Sequence, residues 1–286
     1  MDNLRIMLHA MVFEDYAAFL KAKPVIDQAG GAFEVLEPPG FCEGLVAPVI
    51  LVGTGAPLLL TELLRHKVRI SGTFLHRPSH RDIPQGKAPD PRWREALGDL
   101  RITMARPSVS NPLKLRVEVR PARSLAMLIP IMARFIRGGT YRPAVPLLSF
   151  EEEHRLLTVS QDTIVLSRVD DMLDAWLMLR CMVELVLAAW DRREVLKPDA
   201  VPRQGVGAVE IFRRLPGRNC GRCGTCNCME FAVALFTGKR TAEQCASLHE
   251  DSEREAWESL IWFLRTAGLD RSVSVTSKEA RPEAAL

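Results

Sequence analysis

Five of the seven cysteines in this 286-residue chain fall between positions 220 and 245. Four of them, Cys220, Cys223, Cys228 and Cys245, are spaced C-x2-C-x4-C-x16-C. Thiolates are soft ligands, and four together suit an iron–sulfur cube or a tetrahedral zinc ion. Zinc sites pair two short C-x2-C knuckles across a longer loop, so this spacing points to iron–sulfur before zinc. Cys220, Cys223 and Cys226 also spell C-x2-C-x2-C, the ferredoxin opening. A cube takes four protein ligands, so spacing alone leaves one of the five cysteines spare. A thiol–disulfide role for Cys-Gly-Arg-Cys (220–223) fits poorly, because three further cysteines surround it. Cys42 and Cys181 read as ordinary buried thiols.

The rest of the composition narrows the classes. The chain is long enough to bury a core without covalent staples, at 47% hydrophobic and 26% charged residues. A net charge of +3 is too small to argue for nucleic acid. The first residues show no basic and then apolar leader. The two most apolar stretches, 125–136 and 172–190, carry Pro130 or the charges Asp174, Arg180 and Glu184, which predicts no membrane span. A cytoplasmic location is expected, where thiols stay reduced and clustered cysteines bind metal.

The pattern along the chain predicts a mixed α+β and α/β fold in several units. Residues 1–95 are expected to form a small βαβ-containing unit with a Pro-rich linker. Leu4–Phe13 reads as a strand and Tyr16–Gly30 as a helix. The apolar run Pro48–Val52 reads as a strand buried on both faces, followed by a helix over Leu58–Lys67 and a strand over Val68–Leu75. Residues 96–197 are expected as a β-α-β-β-α unit. Leu113, Leu115, Val117 and Val119 alternate with charged residues as a half-buried strand. A helix over Ser124–Ile136, strands over His154–Val159 and Thr163–Arg168, and a long helix over Asp170–Arg193 follow. Lys197–Gly207 reads as a linker. Residues 205–268 are expected as a helical cluster module with a closing helix over Glu250–Thr266, and residues 270–286 as a disordered tail.

Within the module, Gly221 and Gly224 let the backbone fold tightly around a cluster. Cys228 is expected to open a helix that Gly238 stops, and Thr241-Ala-Glu-Gln244 reads as a capping box that leads to Cys245.

The stretch Leu215-Pro-Gly-Arg-Asn-Cys-Gly-Arg-Cys-Gly, then Cys228-Met-Glu-Phe-Ala and Cys245, resembles the [4Fe–4S] module of the corrinoid iron–sulfur protein's large subunit. The B subunit of Rnf-type electron-transport complexes has a similar module. The resemblance covers about residues 209–250. It implies one [4Fe–4S] cluster held by Cys220, Cys223, Cys228 and Cys245. It favours Cys228 over Cys226, since the residues after Cys228 match. No Asp-x-His-x-x-Gly motif is present, so corrinoid binding is not implied. The Rnf subunit's membrane anchor and extra ferredoxin cysteines are also missing, and Ala246 stands where ferredoxin-type runs often have proline.

Arg213, Arg214, Arg218 and Arg222, with Lys239 and Arg240, flank the cysteines. They are expected to favour the reduced, more negative cluster and to dock an acidic redox partner. Gly53-Thr-Gly-Ala-Pro after a strand is half of a dinucleotide fingerprint, and its expected role is a tight turn. His76 and His80 are the residues near it that a small-molecule site would use. Glu151-Glu-Glu153 reads as a solvated turn. No Ser/His/Asp or paired-carboxylate constellation is legible. The first functional expectation is an electron-transfer or accessory protein that reductively activates a partner metalloprotein or metallocofactor, more than an enzyme on its own. The alternatives are a redox enzyme whose α/β units bind a small molecule or metallocofactor fed by the cluster, and a cofactor-assembly protein with a structural cluster.

Overall fold

The computed structural model describes residues 8–30, 32–53, 55–79 and 86–269. In chain order they form β1 (His9–Phe13), α1 (Tyr16–Gln28), β2 (Phe33–Leu36), β3 (Val49–Val52), α2 (Ala56–Arg65) and β4 (Ile70–Leu75). Then come α3 (Trp93–Leu97), β5 (Leu100–Pro107), β6 (Leu115–Pro121), α4 (Ile129–Met132), β7 (Thr140–Arg142) and β8 (Leu147–Glu152). The last elements are β9 (Arg155–Ser160), β10 (Ile164–Val169), α5 (Met172–Arg192), α6 (Ala208–Phe212), α7 (Cys228–Phe236) and α8 (Arg254–Thr266). No described helix is long and apolar enough to cross a membrane. Two compact units divide the chain: residues 1–125 with 152–187, and residues 126–151 with 188–286.

The first unit opens with β-α-β-β-α-β in the strand order β2-β3-β1-β4, every neighbouring pair antiparallel. β3 and β4 therefore run parallel to each other with β1 between them, a split βαβ arrangement. The expected β-helix-β over 48–75 is present in this form. β2 and β5 were not expected. The four residues of β3 are all buried, as a continuous apolar run requires. Asp15 starts α1 by accepting a 2.8 Å hydrogen bond from the Ala18 amide. Ala18, Ala22 and Ile26, four residues apart, face the core with Phe19, against Met11, Phe13, Ile50, Val52 and Leu63. The sheet's β4 approaches β5 so closely that a Cβ on Gly72 would lie 1.7 Å from the Ala105 carbonyl oxygen.

A second sheet in this unit has the order β5-β6-β10-β9, with antiparallel neighbours, and in the second unit β7 pairs antiparallel with β8. The β9–β10 hairpin closes where expected, with Ser160 N–H donating to Thr163 O at 2.9 Å. β9 is joined to α5 by a buried ion pair, Arg155–Asp174 at 2.8 Å, with Arg155 1% exposed.

In the second unit the expected helix over 124–136 contracts to α4 between turns. Pro130 has no amide to donate and so sits in the first turn of a short helix. The presumed linker 197–207 is tied down by Arg203. Its guanidinium donates to Ala133 O at 2.7 Å and to Asp199 at 2.6 Å, while its backbone pairs with Tyr141. α6, α7 and α8 share an apolar core of Ile211, Leu215, Phe231, Leu235, Leu260 and Leu264, with Leu248 and Cys245 in it. Gly268, at φ +67°, ends α8 with its amide on Arg265 O and the Leu269 amide on Leu264 O, as expected for a glycine placed there. The expected tail 270–286, together with Thr54, His80 and Pro84, lies outside the described residues.

Candidate metal centre

The cysteine loop takes its shape from residues that tolerate a left-handed backbone. Gly221 and Gly224 have φ of +69° and +77°, and Asn219 has φ of +49°. Asn219 is suited to the position because its side chain also works: Oδ1 accepts from the Cys228 amide at 2.8 Å. Its own amide donates to Cys228 Sγ at 3.4 Å. The Gly224 amide closes the turn onto Gly221 O at 2.9 Å.

Cys228 is the first residue of α7, as expected. Asn227 caps this helix, its Oδ1 accepting from the Glu230 amide at 2.8 Å. Glu230 in turn accepts from the Cys226 amide at 2.6 Å, and Cys226 is exposed. After the helix and Gly238, Thr241 and Gln244 form the expected capping box on a single 3-10 turn, Ala242–Gln244, rather than on an α-helix. Cys245 follows in extended conformation and is buried.

Cys220, Cys223, Cys228 and Cys245 line one small cavity of about 10 Å³, walled also by Phe231 and Ser247. Cys226 is not among its lining residues. Four soft thiol donors around one partly apolar recess fit an iron–sulfur cluster in donor chemistry.

Cys220, Cys223 and Cys228 each have a hydrogen-bond partner at the sulfur. Ser247 Oγ is 3.3 Å from Cys220 Sγ, Thr225 Oγ1 is 3.2 Å from Cys223 Sγ, and the Asn219 amide serves Cys228. Arg222 reaches Ser247 Oγ at 3.1 Å and Glu250 at 2.5 Å. The Ser247 hydroxyl, with the Arg222 amide and guanidinium, pulls the Cys220 thiol down to about 7. Burial pushes Cys245 up. Cys42 and Cys181 are pushed up to about 12 by burial, as inert core thiols should be.

The arginines around the loop are not a bare basic face. Arg218 pairs with Glu250 and, at 2.8 Å, with Glu253; Arg222 pairs with the same Glu250. Arg214 stacks on Phe263 at 3.7 Å and donates to Glu210 O. Arg213 and Lys239 stay exposed and Arg240 is half-buried. The sequence offered no signal for Ser247, Asn219 or Glu250 as neighbours of the sulfurs, because each gains its role from a chain reversal rather than from a spacing.

The other sequence candidates do not join the centre. Gly53 is half-buried in the first unit, and burial holds the His76 imidazole below its usual range. A group the sequence did not reveal, His154, Asp170 and Asp174, has ligand atoms within 4.8 Å of one another. Its carboxylates are already engaged, Asp174 by Arg155 and Asp170 by Lys114.

Residues 215–247 match the family described as "Putative Fe-S cluster". The chain is 41% identical over 51 residues to the corrinoid/iron-sulfur protein large subunit of Moorella thermoacetica, covering 18% of this chain and 11% of that protein. It is 39% identical over 56 residues to the acetyl-CoA decarbonylase/synthase complex subunit gamma of Methanothermobacter thermautotrophicus, covering 20% and 12%. The same subunit of Methanopyrus kandleri is 34% identical over 77 residues, covering 26% and 17%. The chain thus spans less than a fifth of the length of these curated relatives. No solved structure matches it significantly. The C-terminal region is thus similar to an iron–sulfur cluster family and to part of each of these proteins.

Proposed function

We propose that the chain binds one [4Fe–4S] cluster through Cys220, Cys223, Cys228 and Cys245, and that it delivers electrons to a partner metalloprotein or metallocofactor. The observation that carries this reading is the single cavity lined by those four cysteines and not by Cys226. A bound cluster of this type supplies one-electron chemistry. The chain's own residues prepare for it. The Asn219 amide directs its hydrogen at Cys228 Sγ, and the Ser247 hydroxyl, which accepts from Arg222, keeps its hydrogen for Cys220 Sγ, where extra negative charge settles on reduction. Phe231 keeps the inner side of the recess apolar. The exposed loop 218–222 leaves the other side open to a partner.

The named relatives are a corrinoid/iron–sulfur protein and subunits of an enzyme complex, which supports a protein partner here too. Because Glu250 and Glu253 balance Arg218 and Arg222, docking of an acidic partner falls to Arg213, Lys239 and Arg240 at the margin of the loop. A reducing, cytoplasmic setting suits four free thiols. The test is redox titration of the anaerobically purified chain followed by electron paramagnetic resonance. A reversible one-electron signal, discharged by an added low-spin cobalt or iron acceptor, is expected. A cluster that takes no electron at any accessible potential would leave only a structural role.

A further inference from the structure

The first unit contains a cavity of about 620 Å³ that the iron–sulfur reading does not use. It lies where the end of β1 and the start of α1 meet β5, with the Ile102 amide donating to Glu14 O at 2.8 Å. Its floor is apolar and buried: Leu45, Ala47, Trp93, Leu100 and Ile102. Its rim carries five carboxylates, Glu14, Asp15, Glu37, Glu43 and Asp99, against two guanidiniums, Arg94 and Arg101. Glu14 is paired with Arg69, and Asp15 is committed to capping α1. Glu37, Glu43 and Asp99 have no ion-pair partner among the described residues. Arg94 is stacked 4.7 Å from the centre of the Trp93 ring.

The sign of this rim is local, since the whole chain carries a formal charge of +3. The volume falls within the range of small-molecule sites, roughly 300–1,000 Å³. An apolar floor rewards an apolar body, and unpaired carboxylates at the mouth reward a cation while rejecting an anion. We propose that this cavity binds a small organic cation, an ammonium group carried on an apolar or aromatic body. The site stands apart from the cluster proposal and does not depend on it.

The test is calorimetric titration of the full chain, with amide chemical shifts to locate the site. The probes are phenethylamine, its anionic counterpart hydrocinnamate and the neutral phenethyl alcohol. Phenethylamine is expected to bind saturably with shifts at Tyr16, Leu45 and Leu100, and at least about tenfold tighter than hydrocinnamate. Changing Glu43→Gln and Asp99→Asn together, both exposed positions, is expected to weaken the amine about fivefold or more and to narrow its preference over the alcohol. Ala17→Phe, an exposed lining position, is expected to block all three probes while the far-ultraviolet spectrum stays unchanged. The proposal falls if hydrocinnamate binds as well as the amine, if the shifts map elsewhere, if the double variant binds unchanged, or if no probe saturates.

Discussion

Ser247 lies two residues past Cys245, is 2% exposed, and shares its hydroxyl between Cys220 Sγ and the Arg222 guanidinium. A hydroxyl hydrogen aimed at a ligand sulfur favours the more negative, reduced cluster. Replacing Ser247 by alanine is therefore expected to lower the midpoint potential while iron content holds, and Ser247→Thr is expected to restore it. Spectroelectrochemistry on the three proteins decides this; an unchanged potential in the alanine variant would remove the hydroxyl from the account. Gly72 offers a test away from the cluster. A side chain there would collide with the Ala105 carbonyl, so Gly72→Ala is expected to cost about 2 kcal/mol or more in denaturant unfolding.

At the scale of the element, α7 depends on its first turn. Asn227 supplies the cap, and Cys228 opens the helix. Asn227→Ala is expected to lower stability by about 1 kcal/mol and to loosen the position of Cys228, while Asn227→Ser recovers most of the loss. Thermal melts of the metal-free and metal-loaded forms will show it. The same element explains what could be read from sequence. Cap, apolar spacing and Gly238 all lie within a dozen residues, so α7 was legible, and so were β3, the β9–β10 hairpin and α5. β2, β7 and β8 were not, because Phe33–Leu36 or Thr140–Arg142 becomes a strand only when a distant partner supplies the ladder. The helix expected over 124–136 failed because its apolar periodicity was real but Pro130 allowed only a short turn. At the site, the cysteines were legible through their spacing, whereas the balancing Glu250 and Glu253 were not, being about 30 residues from the arginines they neutralise.

For the molecule as a whole, each unit has its own source of stability. In the first, Arg155 and Asp174 are both buried, so Asp174→Ala removes the buried partner of the guanidinium, leaves it only the exposed Glu153, and is expected to cost about 3 kcal/mol. Replacing both by Met and Leu is expected to cost far less, as measured by chemical denaturation. In the second, Cys245 belongs to the apolar core, with Cys223 and Cys228 packed against it. Metal removal should therefore lower the thermal transition of that unit.

The central claim is that four particular cysteines, and not the fifth, hold one [4Fe–4S] cluster. The most direct measurement is iron and sulfide analysis, with visible and resonance spectra, of the chain and its Cys226→Ala and Cys228→Ala variants after anaerobic reconstitution. About four iron and four sulfide per chain are expected in the unaltered protein and in Cys226→Ala, with the cluster lost in Cys228→Ala. A stable cluster in Cys228→Ala and none in Cys226→Ala, or zinc in place of iron, would contradict it.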